Sequence, residues 1–362
     1  MNNSNQAAIR TAFRQARQSS PIRHRDIAAT IGISEGELIA SHCGPFSAAE
    51  SPLRACRLRS EWPRIVAEVE TLGEVMALTR NVSCVHEKVG RYANASSNGQ
   101  VGLVQGEEID LRMFYEAWAH GFAVEERLGD AATQRSLQFF DAQGRAIHKI
   151  FLRPASDRDA FDALGARFAA RRQTPAGMAV ALPARSPSET PDAQIDVAGL
   201  RQAWSSLRDT HAFAGLLRRF GVTRTQALRL ADPAYVCELP LCSARDLLTE
   251  AARDAVALMV FVGNPGVIQI HTGPVQRVLV TGDWINVLDP GFNLHLREDR
   301  IARCWVVKKP TRDGLVHSLE LFDTEGETIA MFFGTRKPGE PERGAWRQLL
   351  AALGPGVESC AT

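Results

Sequence analysis

Polar and apolar positions along the chain fall into two alternating regimes, and the alternation occurs twice. Residues 5–75 read as helices, with Ser34-Glu35-Gly36-Glu37 forming an S-x-x-E box that satisfies free amides at a helix start. Over 73–154 the period becomes that of strands. Ile109, Leu111 and Met113 alternate with Asp110 and Arg112, which sets Arg112 on the face opposite the apolar one. The turn Asp141-Ala142-Gln143-Gly144 and the run after it read as a hairpin, and helix returns over 158–171.

The second half repeats this order: helices over 197–260, strands over 260–336 and a closing helix around 343–353. Thr223-Arg224-Thr225-Gln226 is a second capping box, and both boxes follow an apolar-Gly-apolar turn. Sequence motifs recur in the same register. Asn81, ending Val75-Met76-Ala77-Leu78-Thr79-Arg80-Asn81, returns 183 residues on as Asn264, and Ser136 returns 182 residues on as Ser318. Such a period is far too long for a solenoid and indicates a duplicated domain. Hairpins and short turns favour antiparallel sheets over βαβ units. The expected fold is α+β: a tandem duplication of a helical leader plus a large antiparallel sheet, with a ligand cleft between the halves. The expected boundaries are 5–171 for the first repeat, 172–196 for a linker rich in proline, and 197–353 for the second.

Composition narrows the function. A net charge of +1 offers no general attraction to a nucleic-acid backbone. No apolar run is long enough to span a bilayer, and residues 1–17 lack the apolar core of a signal peptide. Seven cysteines without a CxxC pair suggest reduced, structural thiols in a cytoplasm. HExxH and Gly-rich phosphate loops are missing, so zinc-hydrolase and nucleotide-binding readings have no starting residue, and the G-x-S-x-G match Gly32-Ile33-Ser34-Glu35-Gly36 is the capping box already read as a helix start.

Where duplicated halves differ, chemistry is the first suspicion. His211 has no histidine at the equivalent place of the first half, and its spacing from Leu207 and Leu217 puts it on one side of a helix, facing a cleft or solvent. Arg112 corresponds to His295 in the repeat register, and as a strand position it could be a solvated charge or a site residue.

Ala77-Leu78-Thr79-Arg80-Asn81, Ile109-Asp110-Leu111-Arg112, Gln269-Ile270-His271-Thr272-Gly273, Phe292-Asn293-Leu294-His295-Leu296 and Lys309-Pro310-Thr311-Arg312-Asp313-Gly314 together resemble the bacterial haem-utilisation family of HemS/HmuS type. The likeness runs from about residue 10 to 353, in the family's order. It implies haem b in a cleft formed largely by the second half and roofed by the first. In the family the axial histidine stands in an Asp-x-His-x-Phe setting, here His211, and the opposing arginine in the D-L-R strand motif, here Arg112. Lys309 and Arg336 correspond to residues on the propionate side, with Arg224 nearby, and Phe213 and Phe333 are expected to cover porphyrin faces or edges.

These residue types suit the ligand. Neutral imidazole binds haem iron and leaves the opposite face open. Guanidinium and ammonium groups neutralise propionates that would be costly to bury alone. The chain departs from some relatives by carrying Ala212, Phe213 and Ala214 after His211 in place of further histidines, and Phe333 in place of tyrosine. His86 could hold a second haem or be a sheltered strand histidine; His271 and His295 read as structural. The resemblance implies a cytoplasmic protein of haem uptake and iron acquisition that sequesters and traffics haem. The alternative is a haem-degrading monooxygenase that opens the porphyrin with O2 and reductant. An inner-membrane haem importer and a haem oxygenase or reductase are the implied partners.

Overall fold

The computed structural model describes residues 3–19, 23–44, 51–128, 132–174, 189–336 and 339–354. Most of the linker expected at 172–196 lies outside the described residues. In the first copy three helices lead: α1 (Asn3–Ser19), α2 (His24–Thr30) and α3 (Glu35–Ala40). Strand β1 (Leu53–Arg57) and helix α4 (Trp62–Glu68) follow. Then come β2 (Glu74–Arg80), β3 (Cys84–Arg91), β4 (Ser96–Asn98), β5 (Val101–Gln105) and β6 (Asp110–Phe114). Strands β7 (His120–Leu128), β8 (Ala132–Phe140) and β9 (Ala146–Leu152) and helix α5 (Arg158–Phe168) complete the copy.

The second copy opens with α6 (Val197–Ser205), α7 (Phe213–Phe220) and α8 (Arg224–Leu230). Strand β10 (Val236–Leu239) and helix α9 (Ser243–Arg253) come next. Strands β11 (Leu258–Asn264), β12 (Val267–Gly273), β13 (Val278–Thr281), β14 (Trp284–Asp289) and β15 (Phe292–Arg297) follow. The copy closes with β16 (Arg303–Thr311), β17 (Gly314–Phe322), β18 (Thr328–Gly334) and α10 (Gly344–Ala352). One sheet runs β1-β7-β8-β9-β2-β3-β15-β14-β13 and the other β10-β16-β17-β18-β11-β12-β6-β5-β4. Place for place, the two orders are the same list under the repeat. The fold is α+β, a tandem duplication with two large sheets whose hairpins pair antiparallel.

Local chemistry sets these elements. Ser34 and Thr223 cap α3 and α8, their hydroxyls accepting from the main-chain N–H of Glu37 and Gln226 at 3.1 Å each. Asp141 begins the β8–β9 turn, and Gly144 closes it at φ +77°, a conformation glycine adopts without strain. Two short strands, β1 and β10, interrupt stretches expected to be helical. Each pairs along one long neighbour, β7 or β16, and that tertiary pairing overrides a local sequence with no clean alternation.

By contacts the chain forms two compact units. The first comprises residues 1–80, 87–183 and 264–269; the second comprises 81–86, 184–263 and 270–362. In the first, Trp62, Ile65, Leu72, Val75, Leu111 and Phe139 belong to one buried cluster, and Phe13, Leu38 and Phe122 to another. In the second, α9 and α10 bury Leu247, Leu248, Trp346 and Leu350 in a cluster with Val306, Leu319, Leu321 and Phe332. The leader helices bury Leu200, Trp204, Phe213, Leu216 and Leu228 with Trp305, Val307 and Phe322. Strands β16 and β17 therefore have both faces covered, one of them by the helices that carry the candidate site.

Trp204 ties that helical layer down. It is 1% exposed, its Nε1 donates to Lys308 O at 2.9 Å, and it meets Phe213 edge-on at 4.7 Å. Trp204→Ala should cost about 3–5 kcal/mol. Urea unfolding will measure it, and a loss below about 1 kcal/mol would mean the layer is not held this way.

Candidate functional site

Strand alternation places Trp305, Val307 and Lys309 of β16 on the same face as Ser318, Glu320 and Phe322 of β17. Opposite Glu320 and Ser318 on β18 stand Met331 and Phe333, and opposite these on β11 stand Phe261 and Met259. An apolar surface would be expected beneath helices. Instead it contains Glu320, which is 0% exposed.

Four donors saturate this carboxylate. Arg224 donates through Nε to Oε2 at 2.7 Å and through Nη2 to Oε1 at 2.8 Å, a two-point fork. Lys309 Nζ donates to Oε1 at 2.7 Å and Ser318 Oγ at 2.8 Å. Burial works against a charge on Glu320, yet Arg224 and Lys309 outweigh it and hold the carboxyl far below the usual range. Burial pulls the Lys309 ammonium down to about 8, with Glu320 opposing and Arg224 adding to the fall. Arg224 is the first residue of α8, where a cation faces the positive end of the helix, so it depends on this acid partner.

Aromatic rings surround the triad. Lys309 Nζ lies 4.8 Å from the Phe213 ring centre and 5.9 Å from that of Phe333, and the Arg224 guanidinium carbon is 5.2 Å from Phe213. Phe333 meets Phe261 at 4.9 Å. Two cations and one anion leave the cluster with a net positive charge among aromatic walls.

His211 lies two residues before Phe213, the ring that faces this cluster. Helix α6 ends at Ser205, and Thr210–Ala212 form a 3-10 turn immediately before α7. The expected single helix through Leu207, His211 and Leu217 is therefore corrected. Asp209 breaks it by accepting the main-chain N–H of His211 at 2.9 Å, the start of a new helical segment. The same carboxylate oxygen meets His211 Nδ1 at 2.7 Å. The imidazole is 89% exposed. Hydrogen bonds from the His211 main chain and then from its ring hold the Asp209 carboxyl below its usual range, and the charge of Arg336 adds to this. Arg336 is half-buried just after β18.

The structure thus gathers Lys309, Arg224, Phe213 and Phe333 around Glu320, and His211 with Asp209 near the charge of Arg336. All are in the second unit. Phe213 is 3% exposed and packed on Trp204, a core ring under the cluster. Arg112 belongs to the first unit, on the less buried face of β6 as its alternation requires, and is ion-paired to Asp110. His86 is fully buried 4.9 Å from Phe292, which His271 stacks at 3.8 Å, while His295 Nδ1 meets Asn286 at 2.7 Å.

Glu320 and Asp209 are absent from the sequence-derived candidates. An acid on the inward row of a strand was the available signal for Glu320, since such groups are rarely buried unless paired. Its first-copy counterpart in the repeat register is the neutral Gln138, while the counterpart of Arg224 is Glu35. Glu35 is buried and accepts Lys149 at 2.6 Å and Arg80 at 2.5 Å. Burial raises its pKa, but Lys149 and Arg80 prevail and bring it to about 2. The acid of the buried cluster therefore stands at a different place in each copy, on a helix as Glu35 in the first and on a strand as Glu320 in the second.

An exposed imidazole with its Nδ1 engaged, two residues before an aromatic ring that faces a cationic cluster, defines a protein suited to an anionic, planar, metal-bearing ligand. The family model for the haemin-degrading HemS.ChuX domain matches residues 32–168 and again 221–353. The chain is 38% identical to the hemin transport protein HmuS of Yersinia pestis, over 96% of this chain and 97% of that protein. Its structure is similar to that of holo-PhuS, a heme-binding protein from Pseudomonas aeruginosa. The TM-score is 0.91 at 46% identity, over 96% of this chain and 99% of that one. It is also similar to ChuS, an E. coli heme oxygenase, with a TM-score of 0.81 at 35% identity, over 94% of this chain and 99% of that one. The chain belongs to the HemS family.

Proposed function

We propose that this protein binds haem through its second unit, as a cytoplasmic carrier in bacterial haem uptake and iron acquisition. The observation that carries the reading is the exposed His211 imidazole, held at Nδ1 by Asp209 and set two residues before Phe213, the ring that faces Lys309 and Arg224. The donor set fits the ligand. One imidazole nitrogen serves as axial donor to iron. Arg336, and the positive cluster of Arg224, Lys309 and Glu320, attract propionates. Phe333 and Phe261 offer apolar contact to the macrocycle. Membership of the HemS family supports the same reading. Among the described residues no helix is long and apolar enough to cross a membrane.

The test is titration of the apoprotein with hemin. Uptake that saturates at a fixed ratio, with the Soret band of an imidazole-ligated ferric haem, is expected. Adsorption without saturation would end the reading. The resemblance also gives Arg112 a part at the haem. Arg112→Ala should change the ferric spectrum while altering stability by no more than about 0.5 kcal/mol, and an identical spectrum would remove Arg112 from the site.

The likeness to ChuS favours a second reading, that the protein opens the porphyrin. Bound haem would supply the oxygen chemistry, and this chain would orient it and exclude water. Single-turnover spectroscopy with ascorbate and catalase separates the two. A Soret band that persists assigns the carrier role, and its loss to a defined product assigns the enzyme. For the carrier, delivery partners such as a membrane importer and a separate oxygenase or reductase are the expected sources and recipients of haem.

A further inference from the structure

We propose that Asp209 is a positioning residue that fixes the His211 ring as its Nδ1–H tautomer, leaving Nε2 as the bare nitrogen offered to iron. The inference rests on the haem-binding reading and adds to it the device that prepares the ligand.

The hydrogen-bonding chemistry dictates the tautomer. An ionised carboxylate has no proton to give, so a 2.7 Å contact between Asp209 Oδ1 and His211 Nδ1 requires the proton to be on Nδ1. A neutral imidazole carries a single ring proton, and Nε2 is then left with its lone pair free. The choice of nitrogen is thus made before any ligand arrives. An imidazole without this partner turns about its Cβ–Cγ bond and can offer either nitrogen.

The carboxylate is itself anchored. Its Oδ1 also accepts the main-chain N–H of His211 at 2.9 Å, so Asp209 is fastened to the 3-10 turn that bears the ring it orients. With the ring 89% exposed, protein packing cannot set its direction, and this hydrogen bond is what defines it. The arrangement has two further chemical effects. A proton shared toward a carboxylate makes the opposite nitrogen a stronger donor, and outer partners of this kind are worth about 10–100-fold in metal affinity. The stronger donor also favours ferric over ferrous iron, because hydrogen bonding behind the axial ligand tunes haem potentials.

The experiment uses the full chain, as wild type, Asp209→Asn and Asp209→Glu. In the absence of ligand, 15N NMR of histidine-labelled protein above the range of imidazole protonation reads the tautomer directly. His211 should be Nδ1-protonated in wild type, mixed or reversed in Asp209→Asn, and returned toward wild type in Asp209→Glu. Loaded with hemin, Asp209→Asn should bind about 10–100-fold more weakly and show a higher reduction potential, with its Soret band still formed. An Nε2-protonated ring in wild type would overturn the proposal, as would an Asp209→Asn protein of unchanged tautomer, affinity and potential. If wild type is Nδ1-protonated yet takes up no hemin, the haem-binding reading fails and the offer of Nε2 to iron fails with it. The NMR result then stands as a fact about the turn alone.

Discussion

Glu320→Gln should destabilise the second unit by about 3–5 kcal/mol, the usual consequence of removing one member of a buried ion cluster. Glu320 is fully buried and accepts from Arg224, Lys309 and Ser318, so the amide would leave two cations facing each other without an anion. Glutamine keeps the shape and some hydrogen bonding, which isolates the charge as the cause. Lys309→Met in the same chain should recover part of the loss by removing one of the unpaired cations. Urea unfolding followed by tryptophan fluorescence will measure both. A loss below about 1 kcal/mol for Glu320→Gln would show that the triad is not holding these elements together.

The same acids give the chain a pH signature. Glu35 falls from 4.5 to about 2 in the folded state, and Glu320 is also depressed. In this window the unfolded chain therefore binds more protons than the folded one, and stability rises with pH. Their contribution is complete above the unfolded value and is lost as acid approaches the folded values. Glu320→Gln should flatten part of this acid limb.

His211→Ala should weaken hemin binding by at least about 100-fold, beyond what the loss of an outer hydrogen-bond partner produces. It should also abolish the imidazole-ligated spectrum. Its side chain is 89% exposed, so stability should change by no more than about 0.5 kcal/mol. Loss of binding without loss of folding is the signature of a ligand. Hemin dissociation and absorption spectra will show it, and an unchanged spectrum would remove the axial assignment.

Much of the fold could be read because duplication repeats its own signals. Capping boxes, alternation at Ile109, Leu111 and Met113, and the Asp141–Gly144 turn are local features, and the structure reproduces each. Strands β1 and β10 were not legible, since each depends on a partner far along the chain. The candidate site was legible only as what the family resemblance implies at His211, Lys309, Arg224 and Phe333, which composition alone would leave as ordinary surface or core residues. Its internal balance was not. Glu320 is an acid among strand residues, and only the fold shows that Arg224 and Lys309 converge on it. Asp209 stood in the motif beside His211, but that it also breaks the expected helix follows only from the folded chain.

A crystal structure of the hemin complex tests the central assignment most directly. Iron bonded to Nε2 of His211, with Nδ1 still on Asp209, is the expected result. Iron bonded to another side chain, or a hemin seated away from His211, would contradict it.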